Sequence, residues 1–275
     1  MDTNFSIGLR VIGLAGLLIG FSGISSAENT DNPAFPPVAT FSIVAVDPET
    51  GEIGVAVQSR IVGVGAVVPW ARAGIGAVAT QGWANVRYGP VGLAILELGS
   101  TSAQAIEMLT RADPEKGSRQ VGIVDAAGNA ATFTGDDCEA WAGGREGEGY
   151  AVQGNLLAGR EVVDAMAEAF ENSSGDLLAE RLLAALEAGQ AAGGDRRGKQ
   201  SAALLVVRRG WGYGGGNDRF RDVRVDEHEH PIAELRRVYE KHRDLFPRPD
   251  GRRPKADEQP GAGRKQERDE RDGSR

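Results

Sequence analysis

Residues 40–60 read TFSIVAVDPETGEIGVAVQSR, and this stretch decides the fold. Two apolar runs, Phe41 to Val46 and Ile53 to Val57, flank the segment Asp47 to Gly51. The proline of that segment fixes φ near the value that a turn needs, and its glycine can adopt positive φ, so the segment predicts a β-hairpin. Neither run alternates between apolar and polar residues, which indicates strands covered by protein on both faces.

The polar residues of this hairpin lie at its open end. Thr40 and Ser42 are two positions apart, so their side chains point to the same face of the first strand. Ser59 and Arg60 end the second strand, beside the start of the first. The sequence therefore predicts hydroxyl groups at the mouth of a buried sheet.

The composition is that of a globular protein with room for a sizeable core. The chain has 275 residues, of which 41% are hydrophobic and 25% are charged, and both fractions are ordinary. Its net charge of -8 weighs against nucleic acid as a partner, because that role favours a basic surface. Cys138 is the only cysteine in the sequence. An intramolecular disulfide and a metal site with several cysteine ligands are therefore excluded.

No motif in the sequence indicates a cofactor or a metal ion. The glycine-rich segment 210–216 lacks the Lys-Ser/Thr pair of a phosphate-binding loop and opens no predicted helix. The run Asp226 to His230 contains metal-ligating residue types without a recognised spacing, so a solvated charged segment is the favoured interpretation. We predict neither a cofactor nor a metal.

The first 27 residues have the features of a secretory signal peptide. Arg10 precedes an apolar run from Val11 to Ile24, and the small residues Ser25 to Ala27 follow. The run is interrupted by glycines and is shorter than the ~20 residues of a membrane-spanning helix. We therefore predict export to the periplasm or the medium without membrane attachment after signal removal; the alternative is a retained anchor.

The remaining chain divides into three predicted segments. Residues 28–39 contain three prolines and are predicted to be a linker or a propeptide. Residues 40–246 form the folded domain. Residues 247–275 are charged and rich in Pro and Gly, with almost no apolar residue, so we expect them to be disordered.

The folded domain alternates blocks of strands with pairs of helices. After the hairpin, the predicted strands are 67–70, 75–80, 120–124, 131–134, 150–153, 201–207 and 220–225, and the predicted loops are 81–85, 135–149 and 210–216. The predicted helices are a pair within 89–111 with an N-cap at Ser100 or Thr101 after the break, then 160–170, 176–188 and 231–245. Since strands and helices do not alternate singly, the order predicts an α+β fold, and strands covered on both sides favour a four-layer αββα sandwich.

Five phrases of the sequence resemble a known family. They are ATFSIVAVDPETGEIGVAVQSR (39–60), AVVPWARAGIGAVATQGWANVRYG (66–89), RQVGIVDAAG (119–128), GYAVQGNLLAG (149–159) and AAGGDRRGKQSAALLVVR (191–208). Together, residues 40–246 resemble a bacterial and archaeal family, domain of unknown function 1028, that is placed among N-terminal-nucleophile (Ntn) hydrolase-like folds. The resemblance implies a fold and a class of mechanism, and it implies no substrate.

An Ntn hydrolase uses its N-terminal residue as both nucleophile and base. The hydroxyl of that residue attacks a carbonyl while its own α-amine, with a pKa near about 7.7, accepts the proton. The resemblance places Thr40 in this role and implies hydrolysis of an amide or related C–N bond in a small molecule or peptide. Because a signal peptide and a spacer precede Thr40, this role requires a cut between Ala39 and Thr40, made by the Thr40 hydroxyl itself or by another protease.

Further candidate residues follow predicted strand ends. Ser42 is the second candidate nucleophile, and Asp195 and Arg197 fall where the resemblance places groups that orient the amine. The candidates for binding substrate or an oxyanion are Ser59, Gln81, Asn85, Asn155, Gln200 and Ser201.

A non-catalytic function is the alternative. Thr40 would then be only the first residue of a strand, where β-propensity favours threonine. The protein would be a binding or assembly subunit on the same fold, with a second copy of the chain as a candidate partner. Cys138 is a candidate reactive thiol in an exported protein, but no histidine lies near it in sequence.

Overall fold

The structure is a computed structural model that describes residues 40–258. The predicted signal peptide (1–27), the predicted linker or propeptide (28–39) and residues 259–275 lie outside the described residues. Within residues 40–258, no helix is both long and apolar enough to cross a membrane.

The hairpin of the opening stretch forms as predicted. Strands β1 (Thr40–Asp47) and β2 (Glu52–Ser59) pair antiparallel, with Thr40 opposite Ser59. In the turn, the N–H of Gly51 donates to the carbonyl oxygen of Asp47 at 2.8 Å, and Gly51 has a positive φ of 71°. Every residue of both strands is buried, which confirms that protein covers both faces.

The described strands form two antiparallel sheets. The further strands are β3 (Pro69–Arg72), β4 (Gly76–Gly82), β5 (Arg119–Asp125), β6 (Ala130–Thr134), β7 (Gly143–Gly147), β8 (Tyr150–Asn155), β9 (Ser201–Val207) and β10 (Arg219–Val225). The six-stranded sheet has the order β10-β9-β2-β1-β8-β7, and the four-stranded sheet has the order β3-β4-β5-β6. The opening hairpin therefore lies at the centre of the larger sheet.

Six α-helices accompany the sheets in the described part of the chain. They are α1 (Tyr88–Glu97), α2 (Ser102–Arg111), α3 (Glu161–Asn172), α4 (Leu178–Ala191), α5 (Pro231–Leu245) and α6 (Lys255–Glu258). Thr101 is the N-cap of α2 and forms a capping box with Gln104, which confirms the predicted cap. The fold belongs to the α+β class.

The apolar residues form three clusters because side chains alternate along each strand. On β1, Phe41 and Ile43 face helices α3, α4 and α5, whereas Val44 and Val46 face the four-stranded sheet. The opposite face of the four-stranded sheet packs on α1 and α2 through residues such as Ile123. Fully burying one such side chain contributes roughly 2–3 kcal/mol, so these three clusters supply the main stabilisation of the fold.

Residues 143–147 form strand β7, so the prediction of a loop over 135–149 is wrong for this part. The sequence GGREG has no apolar residue because β7 is the edge strand of its sheet and is partly exposed. Gln81, predicted to lie in a loop, belongs to β4 and is buried. In both cases the backbone pairs with a neighbouring strand at residues that lie outside the apolar runs of the sequence.

Residues 247–258 contact the domain, so the prediction of disorder is wrong for this part of the segment. The guanidinium of Arg248 forms an ion pair with the carboxylate of Glu52, and the two side chains are 4% and 1% exposed. Arg248 also pairs with Asp250 at 2.9 Å. The segment after α5 is therefore fixed to the start of β2.

Candidate functional site

The layer between the two sheets is apolar at one end and polar at the other. On β1, Val44 and Val46 belong to the apolar cluster, whereas Thr40 and Ser42 continue the same face. We define the inter-sheet polar cluster as the buried residues Thr40, Ser42, Ser59, Gln81, Gln120, Gln153, Asn155 and Ser201. It occupies the end of the layer where β1 begins.

Thr40 lies at the outer end of this polar cluster. Its side chain is buried, and its hydroxyl donates to the hydroxyl oxygen of Ser59 at 3.0 Å. Because β1 is paired on both sides, Thr40 is opposite Ser59 on β2 and opposite Asn155 on β8. Gln81 reaches across from the other sheet, with its Nε2 3.4 Å from the Thr40 carbonyl oxygen. Four predicted site residues are therefore neighbours.

Gln120 is the centre of the hydrogen bonds in the polar cluster. Its Nε2 donates to the carbonyl oxygens of Gly154 at 2.8 Å and Gly143 at 3.3 Å. Because a carbonyl oxygen only accepts, the orientation of the amide is fixed and Oε1 faces the opposite side. That oxygen accepts from Gln81 Nε2 and from Asn155 Nδ2, each at 2.8 Å. Gln81 and Asn155, predicted as oxyanion donors, each direct an N–H at Gln120.

Because Gln81 directs its Nε2 at Gln120, its Oε1 is left to face Ser42. Its hydroxyl donates to Oε1 of Gln81 at 2.6 Å and accepts from Nε2 of Gln153 at 2.6 Å. Both neighbours are amides, which cannot act as a base at neutral pH. Within residues 40–258, the Ser42 hydroxyl therefore contacts no group that could remove its proton.

Gly122 makes room for the Gln153 side chain, and this contact gives a first prediction. A methyl group at position 122 would lie 2.0 Å from Oε1 of Gln153. The Gly122→Ala variant must displace Gln153 and break its bond to Ser42, so we expect a loss of ~1–3 kcal/mol in the free energy of unfolding. Urea denaturation measures this loss. Gly216→Ala, whose methyl group would lie 3.5 Å from its nearest neighbour, is the control, and equal losses in both variants would contradict the role of Gly122.

Asp195 and Arg197 form a local pair at the edge of the site. The Asp195 carboxylate is buried and accepts from the backbone N–H, Nε and Nη2 of Arg197, at 2.9, 3.2 and 2.9 Å. A backbone bridge pairs Asp195 with Leu157, two residues beyond Asn155. The predicted pair is therefore held against the segment that follows β8.

Gln200 and Ser201 stabilise the neighbouring loop. The Gln200 side chain accepts from Nη1 of Arg60 at 2.9 Å on the surface. The Ser201 hydroxyl donates to the carbonyl oxygen of Ile61 at 2.5 Å and accepts from the N–H of Val64 at 3.2 Å. These bonds hold the chain after β2, so both residues have a structural role at the rim.

Asn85 lies in a separate cluster around Asp113. The Asp113 carboxylate accepts from Asn85 Nδ2 and Arg119 Nε, each at 3.0 Å, and from the Tyr88 hydroxyl at 2.9 Å. Burial alone would raise the pKa of Asp113, but hydrogen bonds from Arg119 and Asn85 outweigh it and lower the pKa to about 2. Burial, followed by the hydrogen bond to Asp113, raises the pKa of Tyr88. Asn85 therefore fixes the loop before α1, and the structure gives it no contact with Thr40.

A small cavity of ≈ 50 Å³ opens beside the polar cluster. Its lining residues are Gly82, Trp83, Ser118, Asp137, Cys138, Glu139, Asn155 and Leu156. The Cys138 thiol donates to the carbonyl oxygen of Arg119 at 3.4 Å, and burial raises its pKa. The raised pKa disfavours the thiolate, which is the nucleophilic form of cysteine.

Residues 40–235 match the family known as Family of unknown function (DUF1028). The chain belongs to this family. The crystal structure of protein SPO2555 from Silicibacter pomeroyi, also assigned to DUF1028, is similar to it, with a TM-score of 0.68 and 34% sequence identity. The similarity covers 76% of this chain and 93% of that chain. No curated protein matches the chain. The family indicated by the five sequence phrases is confirmed.

Two residues at the centre of this DUF1028 site escaped the sequence analysis. Gln120 and Gln153 lie within predicted strands, and both are fully buried. A single amide in an otherwise apolar strand is the signal that could have identified them, because a buried amide needs partners. Among residues 40–258 of this DUF1028 protein, no group of three or more His, Cys, Asp or Glu side chains could hold a metal ion.

Proposed function

We propose that this DUF1028 protein is an exported Ntn-type hydrolase that cleaves an amide or related C–N bond, with Thr40 as its nucleophile. The observation that carries the proposal is the position of Thr40, which begins the central strand of the larger sheet at the polar end of the inter-sheet layer. The nucleophile of such an enzyme must be the first residue of a strand at a cleft between two sheets. Thr40 is the first described residue of β1 and lies at the polar end of the layer between the sheets, which supports this role.

The layered packing supports an Ntn-type fold. We infer a four-layer αββα sandwich, because the three apolar clusters lie between helices and the six-stranded sheet, between the two sheets, and between the four-stranded sheet and helices. The two sheets are antiparallel throughout. The similarity to another DUF1028 protein, which covers 93% of that chain, is consistent with a fold shared by the two proteins.

The reaction requires Thr40 to be the N-terminal residue after cleavage of the Ala39–Thr40 bond. Its hydroxyl then attacks the substrate carbonyl while the α-amine accepts the hydroxyl proton, giving a tetrahedral intermediate. The C–N bond breaks, and the leaving amine takes that proton. Water hydrolyses the resulting ester and restores Thr40. The hydrogen bond from Thr40 to Ser59 holds the hydroxyl in one orientation, and Asp195 with Arg197 supplies charges at the rim.

The location and partners follow from the same proposal. Residues 1–27 direct export to the periplasm or the medium, and residues 28–39 are removed as a propeptide. The substrate is a small molecule or a peptide. The opposing observation is that Thr40 is fully buried in this chain, which favours a non-catalytic binding or assembly protein if the segment before Thr40 is retained.

A mechanism-based probe tests the nucleophile without a known substrate. A chain that starts at Met followed by Thr40 exposes Thr40 once the methionine is removed, and we expect a β-lactone to acylate the Thr40 hydroxyl. Peptide mass spectrometry locates the adduct. Thr40→Ala is expected to reduce labelling to background, whereas the control Ser42→Ala keeps it, because the Ser42 hydroxyl is bound only to amides.

The opposite pattern would overturn the proposal. If Thr40→Ala is labelled normally, or if the chain that starts at Thr40 is not labelled at all, Thr40 is not the nucleophile and the non-catalytic function is favoured. Melting curves of both variants show that each is folded, so a loss of labelling reports on chemistry.

A further inference from the structure

The cavity beside the polar cluster is linked to Thr40 through one residue, Asn155. Asn155 lines this cavity and is also the β8 residue opposite Thr40. Side chains of opposed residues on neighbouring antiparallel strands point to the same face, with Cβ atoms roughly 5 Å apart. Asn155 therefore connects the cavity with Thr40, which is itself fully buried and is not among the lining residues in the described part of the chain.

Asn155 presents an oxygen to this cavity. Its side chain is buried, with only 3% of the residue exposed, and its Nδ2 donates to Oε1 of Gln120. The Gln120 orientation is fixed by backbone carbonyls, so the Asn155 amide cannot be reversed without losing that bond. Its Oδ1 has no hydrogen-bond partner within residues 40–258 and is the atom left to face the cavity. Asn155 Oδ1 is not one of the fully buried side-chain atoms without a partner, so it is open to the cavity, where a donor from a ligand or water can reach it.

The two charged side chains that line the cavity in the described part of the chain are both acidic. Asp137 and Glu139 line it, and the indole of Trp83, which is 41% exposed, lies at the rim. Among residues 40–258, no Lys or Arg lines the cavity, although Arg119 Nη1 donates to the carbonyl oxygen of the lining residue Trp83 at 2.6 Å. Glu139 forms an exposed ion pair with Arg196, in which Arg196 Nη2 lies 3.8 Å from Glu139 Oε2. An aromatic face and two carboxylates favour a cation over an anion.

We propose that this cavity binds a small positively charged hydrogen-bond donor, namely a primary ammonium group. The N–H groups of such a ligand satisfy Asn155 Oδ1, and its charge is complementary to Asp137 and Glu139. A cavity of ≈ 50 Å³ has room for little more than one or two water-sized groups, which excludes a bulky quaternary ammonium. This last step rests on the proposed function: where that function holds, the substrate carries a primary amine close to the carbonyl group that Thr40 attacks.

Cys138 is a built-in reporter for this cavity. It is the only cysteine in the sequence and it lines the cavity, so all thiol labelling reports on this site. The experiment compares labelling by cationic 2-aminoethyl methanethiosulfonate with labelling by anionic 2-sulfonatoethyl methanethiosulfonate, each rate being divided by its rate with 2-mercaptoethanol. We expect the corrected ratio of cation to anion to be at least ~10.

Carboxylate variants test the origin of that preference. The double variant Asp137→Asn/Glu139→Gln is expected to bring the corrected ratio close to one. Glu97→Gln, which removes an exposed carboxylate from the distant pair with Arg72, is the matched control and keeps the ratio. A ratio near one in the unmodified protein, or the same ratio in the double variant, would overturn the proposal.

Small ions test the requirement for a hydrogen-bond donor and for size. Ethylammonium chloride is expected to slow the labelling of Cys138 by neutral methyl methanethiosulfonate, whereas tetramethylammonium chloride and sodium chloride at equal ionic strength do not. Equal protection by tetramethylammonium, or no protection by ethylammonium, would contradict the proposed ligand. None of these measurements requires turnover, so their failure leaves the proposed hydrolase intact, and failure of the β-lactone test leaves the ammonium site intact.

Discussion

Gln120→Leu is expected to lower the free energy of unfolding by at least ~3 kcal/mol. Leucine matches glutamine closely in volume, so the change removes hydrogen bonds without leaving a large cavity. It deprives buried donors on Gln81 and Asn155 and the carbonyl oxygen of Gly154 of a partner. Each buried polar group that is left without a hydrogen bond costs ~1–3 kcal/mol. Chemical denaturation measures the total.

Gln200→Leu is the control for this prediction. Gln200 is also an amide, but its side-chain bond to Arg60 lies on the surface, where water replaces a lost partner. We expect a change under ~1 kcal/mol. Equal losses in Gln120→Leu and Gln200→Leu would mean that the polar cluster contributes no more to stability than a surface contact does.

Arg248→Met is expected to lower the free energy of unfolding by ~3–5 kcal/mol. The variant leaves the Glu52 carboxylate, which is 1% exposed, without its cation. In the described part of the chain, the Thr50 hydroxyl is the other side-chain group that donates to the Glu52 carboxylate, at 3.3 Å, and as a neutral group it does not neutralise the charge. Chemical denaturation of the folded domain measures the change.

Two further variants separate the ion pair from other effects of the arginine. Arg72→Met breaks an exposed pair with Glu97 and is expected to cost no more than ~1 kcal/mol. Glu52→Gln combined with Arg248→Met removes the uncompensated charge and should recover part of the stability. If Arg248→Met is as mild as Arg72→Met, the segment after α5 is not anchored by this pair.

The fold was predictable where the sequence carries local signals. The turn between β1 and β2 contains Pro48 and Gly51, and the structure gives the hairpin its predicted position. Helix α5 begins at Pro231 as predicted, because proline is tolerated in the first turn. Strand β9 has its predicted bounds of Ser201–Val207. In each of these segments, the pattern that marks the element lies within the element itself.

Features that depend on long-range pairing were not predictable in the same way. Strand β7 has no apolar residue and is defined by its backbone pairing with β8. The hydrogen bond between Gln120 and Asn155 depends on how the two sheets stack, which no local pattern encodes. Arg248 was assigned to a disordered segment by composition, yet its partner Glu52 is 196 positions away in sequence.

The candidate site shows the same division. Thr40 and Ser59 were predicted to be neighbours because both belong to one hairpin, and their hydroxyl oxygens are 3.0 Å apart. Asn85 was predicted to be a site residue because it follows the end of a strand, but its side chain donates to Asp113. The direction in which a loop residue points is set by its tertiary partners, and the sequence does not contain that information.

The N-terminus of the mature protein tests the central claim most directly. The measurement is N-terminal sequencing, with intact mass, of the protein isolated from its own cells and from the medium around them. The proposed mechanism predicts that the first residue is Thr40. A mature protein that begins at Glu28 would retain a peptide bond on the Thr40 nitrogen, and it would contradict catalysis by an N-terminal threonine.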